Sequence, residues 1–136
     1  MSQEFHAFLK KEKLPPNKDV ARALSSRGWR VEIDADKPID ELSALTLKVD
    51  GAAHTVQVQV SRASEGAFAN LVAAAHTSPE GETWLSLLKA TDTRIVCSGD
   101  GAKGEEWARE LARSIGLLCA GGFHNPQSGT VLQYGR

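Results

Sequence analysis

Apolar and polar side chains alternate strictly in the middle of the chain, with the period of a β-strand that buries one face. Residues 45–49 and 55–61 alternate on either side of Asp50-Gly51, a dipeptide typical of tight hairpin turns. Residues 29–34 alternate in the same way before them. Short apolar runs predict three later strands, at residues 93–97, 117–120 and 130–134.

Apolar residues at helical spacing predict the remaining elements. Phe5, Phe8 and Leu9 would share one side of a first helix over residues 1–14, which Pro15 and Pro16 end. Further helices are predicted at residues 17–26, 67–75, 79–88 and 106–115.

This order of elements predicts an α/β fold with a mixed sheet of about five strands, flanked by helices. We expect a single domain over residues 1–136, because a chain of this length suits one hydrophobic core. The helix at 1–14 would be appended to that core, and residues 123–136 would form a C-terminal loop and edge strand. The aromatic and amide residues of that loop could form an interface or simply a turn.

The composition is that of an ordinary water-soluble domain, with 41% hydrophobic and 24% charged residues. No apolar run approaches the roughly 20 residues of a membrane helix, and the first residues are polar, so we expect a cytoplasmic protein without membrane contact. Sixteen Lys and Arg against 17 Asp and Glu give a net charge of -1. Nucleic-acid binding would therefore need a local basic patch, since the chain has no global excess of cations.

A glycine-rich segment, Gly99-Asp-Gly101-Ala-Lys-Gly104, follows one predicted strand and precedes a predicted helix. The backbone N–H groups of such a loop can bind a phosphate. A dinucleotide site also needs an acidic residue about 20 positions further on, and the chain has no Asp or Glu after Glu110. We interpret the segment as a flexible strand-to-helix turn, with a nucleotide site as the alternative.

Histidine and cysteine spacing predicts no metal site. The four histidines fall in separate segments: His6, His54, His76 and His124. Cys97 and Cys119 lie in apolar stretches and are expected to be buried free thiols on adjacent parallel strands. A nucleophilic pair of Cys119 and His124 is the alternative to a Cys119 that only fills the core.

Three segments together resemble the restriction-endonuclease-like superfamily, with the Mrr-like branch nearest. They are Ser26-Arg-Gly28-Trp29-Arg-Val-Glu, Leu45-Thr-Leu-Lys-Val-Asp50-Gly51 and Gln57-Val-Gln59. The later run from Arg94 to Cys119 is similar to that family's closing strand, helix and strand. The resemblance covers about residues 19–121 and implies a core of the order α-β-β-β-α-β-α-β.

The resemblance implies an Mg²⁺ site made by strand carboxylates, with a lysine that orients the attacking water. In this chain the acidic position falls near Ala44 and the lysine position is Gln59, so no residue is assigned a catalytic role with confidence. A nuclease with a migrated active site would draw on these residues: Asp40, Glu41, Lys48, Asp50, Gln57 and Gln59. Alternatively, the two glutamines are only the polar side of an alternating strand.

These observations favour a non-catalytic protein that binds a macromolecule, because a protein can keep a fold after losing the catalytic residues associated with it. We expect a protein partner and no cofactor, as for an immunity or inhibitor protein of a bacterial toxin. The first alternative is an Mg²⁺-dependent DNA endonuclease. The second is a module that binds nucleic acid without cutting, through basic residues that could equally be solvated helix faces: Lys10, Lys11, Lys13, Arg22, Arg109 and Arg113. The sequence leaves the oligomeric state open.

Overall fold

A computed structural model describes residues 3–26, 28–66 and 68–134. Residues 1–2 and 135–136, the ends of the predicted domain, lie outside the described residues, as does residue 67 at the start of a predicted helix. The strands are β1 (Gln3–Leu9), β2 (Val31–Asp34), β3 (Ala44–Val49), β4 (Ala52–Arg62), β5 (Thr93–Gly99), β6 (Gly122–Asn125) and β7 (Thr130–Gln133). The helices are α1 (Asn17–Ser25), α2 (Ala69–Ala75), α3 (Gly81–Ala90) and α4 (Gly101–Leu118).

Within the described residues, seven strands form one sheet in the order β2-β3-β4-β5-β1-β6-β7. The α/β class is confirmed, but the sheet is larger than the five strands predicted. It is also antiparallel at every described pairing, not mixed. The strands on either side of α4, β5 and β6, do run in the same direction, but β1 lies between them and opposes both.

The predicted helix at residues 1–14 is wrong, because residues 3–9 form the strand β1. Phe5, Ala7 and Leu9 pack into the larger apolar core on one face, and Phe8 packs into a second cluster on the other face. A strand covered on both faces carries apolar residues on both, so its sequence does not alternate cleanly. That is why Phe5, Phe8 and Leu9 imitate helical spacing.

The predicted strand at residues 117–120 is also wrong, because α4 continues through Gly116 to Leu118. Gly116 lies against β6, where an added Cβ would collide with the backbone carbonyl oxygen of Gly122. The glycine therefore permits close packing of helix on strand and does not end the helix. Cys119 follows α4 at its C-terminus, so Cys97 and Cys119 are not on neighbouring parallel strands.

The hairpin is confirmed, with β3 and β4 joined at Asp50-Gly51. Both turn residues have positive φ, as a tight hairpin turn requires. On one face of the sheet, α1 and α4 cover the main core. On the other face, α2 and α3 cover the second cluster, and α3 contacts β1 and β7. No described helix is long and apolar enough to cross a membrane.

Candidate binding surface

The side of the sheet that carries α2 and α3 is covered only in part. At β1 and β7 an apolar cluster joins sheet and helices, and it includes Phe8, Trp84 and Val131. On the same side, β3 and β4 present exposed side chains that no described helix covers. We call this area the open face; its side chains are Glu32, Asp34, Ala44, Thr46, Lys48, Ala53, Thr55, Gln57 and Gln59.

Strand register shows that the open face and the second cluster share one side of the sheet. Phe8 lies opposite Arg94, and Arg94 lies opposite Ser61. Directly opposed residues share a face, as do alternate residues of one strand. Gln57 and Gln59 therefore point to the same side as Phe8, next to the area where the helices end.

The open face is polar and nearly balanced in charge. Hydroxyl and amide side chains occupy its middle, among them Thr55, Gln57 and Gln59. At its edge, Lys48 Nζ lies 3.8 Å from Asp34 Oδ2. Both side chains are about half exposed or more, so this pair adds little stability, but it balances the lysine charge. The surface can donate and accept many hydrogen bonds without a strong field of either sign.

A cluster of two histidines and an arginine borders the open face, and we call it the His–Arg cluster: His6, Arg94 and His124. His6 lies opposite His124, with ring centroids 5.3 Å apart. The Trp84 ring of α3 packs on His124 at a centroid distance of 4.4 Å. Arg94 is the diagonal neighbour of His6 on β5, since it lies opposite Phe8.

Burial and positive charge both disfavour protonation of the two rings. Burial lowers the pKa of His6, and the Arg94 guanidinium lowers it further, although Glu4 opposes the shift. Burial, His6 and Arg94 together lower the pKa of His124 to about 4. At neutral pH the cluster therefore holds one positive charge, on Arg94, and two neutral imidazoles.

The structure spreads the residues of the alternative nuclease site over separate places. Gln57 and Gln59 lie side by side on the open face, but Lys48 lies opposite Ala53, four residues along β4 from Gln57. That spacing is about 13 Å along a strand. Asp50 is in the hairpin turn, where its carboxylate accepts the backbone N–H of Arg30. Glu41 is exposed on the short 3-10 turn Ile39–Glu41.

Asp40 belongs to the other side of the sheet, where it pairs with Arg62. The Arg62 guanidinium lies 3.0 Å from the Asp40 carboxylate, whose side chain is only 5% exposed. Arg62 also donates to the Thr93 hydroxyl, and Thr93 contacts Asp92. Asp40 therefore joins the turn before β3 to the end of β4, across the sheet from the glutamines.

The predicted flexible turn over Gly99–Gly104 is wrong over most of its length, because β5 ends at Gly99 and α4 begins at Gly101. Gly99 and Gly104 allow a close backbone contact, and Gly101 has a positive φ. A Cβ on Gly99 would collide with the carbonyl oxygen of Gly104. A pocket of about 310 Å³ lies beside this turn, lined in part by His54, Gln57 and Lys103. Lys103 Nζ lies 3.4 Å from Glu106, so its charge is already balanced. The alternative nucleotide site stays a prediction.

The basic residues predicted for nucleic-acid binding are partly paired with acids. Arg22 lies 3.7 Å from Asp19 on α1. Arg109 and Arg113 lie 3.7 and 3.8 Å from the same carboxylate oxygen of Glu110 on α4. Lys10, Lys11 and Lys13 are exposed at and after the end of β1. Half of the predicted set thus has carboxylates nearby, which reduces the unbalanced positive charge that these residues offer to a nucleic acid.

Both cysteines are buried, as predicted. Burial raises the pKa of the Cys97 thiol to about 12 and that of the Cys119 thiol to about 11. A neutral thiol is a poor nucleophile, so a nucleophilic Cys119 has no support in its surroundings. No group of three or more His, Cys, Asp or Glu residues in the described ranges could hold a metal ion.

Comparisons with protein-family models, with curated proteins and with solved structures find no match to this chain. The restriction-endonuclease-like resemblance therefore stays a prediction.

The His–Arg cluster was not foreseen from the sequence, because its members are 88 and 30 residues apart and meet only through strand register. One signal was available in the sequence: Phe5, Ala7 and Leu9 are apolar at alternate positions, which indicates a strand. On such a strand His6 lies on the opposite face, with Glu4 and Phe8.

Proposed function

We propose that this protein acts by binding a protein partner through the open face, without catalysing a reaction. The observation that supports this most is the exposed polar middle of the face, where Thr55, Gln57 and Gln59 stand on a rigid central strand. Side chains fixed on a paired strand can form hydrogen bonds with a partner at little cost in conformational entropy.

A protein suits this surface better than a nucleic acid does. Nucleic acids bind to unbalanced cations, and single strands also stack on exposed aromatic rings. The open face has no aromatic side chain, and its one lysine, Lys48, lies near Asp34. Glu32 on the same face also has a cation nearby, since Arg30 lies 3.8 Å from it. Balanced charges with neutral hydrogen-bonding groups match the polar parts of protein interfaces.

Binding also suits the site better than hydrolysis of DNA. The nuclease set needs carboxylates close to the glutamines, but Asp40 is paired with Arg62 on the opposite side of the sheet. Lys48 and Gln57 are separated along their strands. An immunity or inhibitor role is one form of such binding, and it stays a prediction.

Site-specific photocrosslinking tests this proposal in the cell that makes the protein. A photoreactive amino acid at Gln57 reports on the open face, and the same group at Ser86, exposed on α3, is the control. We expect a defined protein crosslinked from position 57 and absent from position 86. Equal crosslinking from both positions would contradict the proposal, and so would a crosslink from position 57 to nucleic acid alone.

A further inference from the structure

The His–Arg cluster contains buried polar atoms that have no hydrogen-bond partner within the protein. They are Nδ1 of His6, Nε of Arg94 and Nδ1 of His124. Only one other buried side-chain atom of the described residues, in Asn17, shares this condition. Leaving a buried polar group unpaired is costly, because the group has given up its hydrogen bonds to water. Strand register places the three residues next to one another, so together they indicate a place that meets a polar ligand.

His6 is only 7% exposed, so water has little access to its unpaired ring nitrogen. The His6 Nε2 atom lies 3.5 Å from Glu4 Oε1, so Glu4 is the nearest acid to this ring nitrogen. The other ring nitrogen, Nδ1, is then the unpartnered one. Trp84 of α3 packs on His124 of the neighbouring strand β6 and restrains that ring.

The charge of the cluster selects the kind of ligand. Arg94 is permanently positive and donates from NH2 to the Ser61 hydroxyl at 3.3 Å, while its Nε–H has no partner. The charged and titratable groups that face one another here are Glu4, His6, Arg94 and His124, and α3 adds the uncharged Trp84 ring. A guanidinium repels metal ions and attracts anions.

We propose that His6, Arg94 and His124 bind one small oxyanion, the phosphate or carboxylate group of a ligand. Arg94 supplies the fixed charge and an N–H donor, and each histidine becomes a second donor when it takes up a proton. Anion binding and protonation of the rings therefore favour each other, so the affinity increases as the pH falls. This site is separate from the partner-binding proposal, since its members lie on β1, β5 and β6 and the open face lies on β2, β3 and β4.

Proton NMR of the histidine rings tests the proposal on the full-length protein. The ring Cε1–H signals are followed from pH 3.5 to 8 in sodium chloride, then at the same ionic strength with increasing inorganic phosphate, and separately with trifluoroacetate, a carboxylate that stays ionised over this range. We expect phosphate or trifluoroacetate to raise the titration midpoints of His6 and His124 by about half a pH unit or more. His76, exposed just after α2, serves as the control within the same spectrum.

Arg94→Gln separates specific binding from a general effect of salt. A hydrogen bond to a charged group contributes about 1.5–3 kcal/mol, so the variant should bind the anion about ten times more weakly or worse. Arg109→Gln on α4 is the matched control and should bind as the wild type does. If Arg94→Gln disturbs the fold, Arg94→Lys keeps the charge, loses the unpartnered Nε–H, and should still weaken binding measurably.

The response to the two anions identifies the ligand chemistry. A response to phosphate alone assigns the site to phosphoryl groups, and a response to trifluoroacetate alone assigns it to carboxylates. The proposal is overturned if His6 and His124 respond no more than His76 does, or if Arg94→Gln and Arg109→Gln bind equally well.

Discussion

Single residues of this protein show that a side chain's role depends on its strand partners. His124 stands in a loop according to the sequence, yet in the structure it is a member of β6, opposite His6 and against Trp84. The sequence does not indicate that these three residues are close in space, because they lie on β1, α3 and β6. The shared orientation of Gln57 and Gln59 could be predicted, since alternation alone places them on one polar face. The structure confirms this.

The pKa of His124 links protein stability to pH. It is about 4 in the folded state against the ordinary 6.5, so between these pH values the unfolded chain binds more protons than the folded chain does. The contribution of His124 to the free energy of unfolding is therefore complete above pH 6.5 and is lost as the pH falls towards 4. Over this pH range, the free energy of unfolding of His124→Gln should fall by about 2 kcal/mol less than that of the wild type.

Urea unfolding at pH 7.5, 6, 5 and 4.2 measures this effect, with His76→Gln as the control. We expect the free-energy curves of the wild type and His76→Gln to run parallel, with a shallower decline for His124→Gln. Parallel curves for all three proteins would show that the His124 ring titrates normally in the folded state.

Asp40 and Glu41 are adjacent carboxylates with different structural roles. Asp40 is buried against Arg62, whereas Glu41 is exposed. Asp40→Ala removes the buried carboxylate that accepts a hydrogen bond from Arg62, and losing a hydrogen bond to a charged group costs about 1.5–3 kcal/mol. Asp40→Ala should therefore lower the free energy of unfolding by about that amount, and Glu41→Ala by less than about 0.5 kcal/mol.

Chemical denaturation of these two variants also bears on the nuclease alternative. An Asp40→Ala variant as stable as Glu41→Ala would mean that Asp40 is not held by Arg62 and is free for other chemistry. The expected large difference would instead assign Asp40 to the fold.

Among the elements, the alternating strands, the short apolar strand β5 and the helices with one apolar side could be predicted, whereas β1 and the end of α4 could not. The β3–β4 hairpin follows from alternation and turn chemistry, and α1 from apolar residues at helical spacing; both elements are confirmed, although α1 has no side-chain cap. β1 fails because it lies inside the sheet between β5 and β6 and is covered on both sides, so apolar residues fall on both of its faces. Helix propensity and spacing hold no information about which segment takes the centre of a sheet.

Gly116 offers a test of how α4 packs on β6. Replacing glycine by alanine in a helix normally stabilises it by about 1 kcal/mol. Here the added methyl group would meet the carbonyl oxygen of Gly122, and such overpacking costs about 1–3 kcal/mol. We therefore expect Gly116→Ala to be destabilised in thermal unfolding, while Leu117→Ala, at the exposed next position, changes little. A stabilised Gly116→Ala would contradict the helix-to-strand contact.

At the scale of the whole molecule, the helices leave one half of a sheet face without cover. The main core lies under α1 and α4, and the smaller cluster under α2 and α3 covers only the β1 and β7 region of the opposite face. The net charge of -1 agrees with the balanced open face and gives no basis for strong binding to nucleic acid. Which helices cover which part of the sheet depends on the order of the strands, and that order could not be predicted from the sequence.

The affinity of the reconstituted complex tests the central proposal most directly. Once a partner has been captured from position 57, both purified proteins can be titrated by calorimetry, with Gln57→Arg and Ser86→Arg as variants that add the same charge. We expect micromolar or tighter binding for the wild type and Ser86→Arg, and at least about tenfold weaker binding for Gln57→Arg, a loss of about 1.4 kcal/mol. Equal affinities for the two variants would contradict a binding role for the open face.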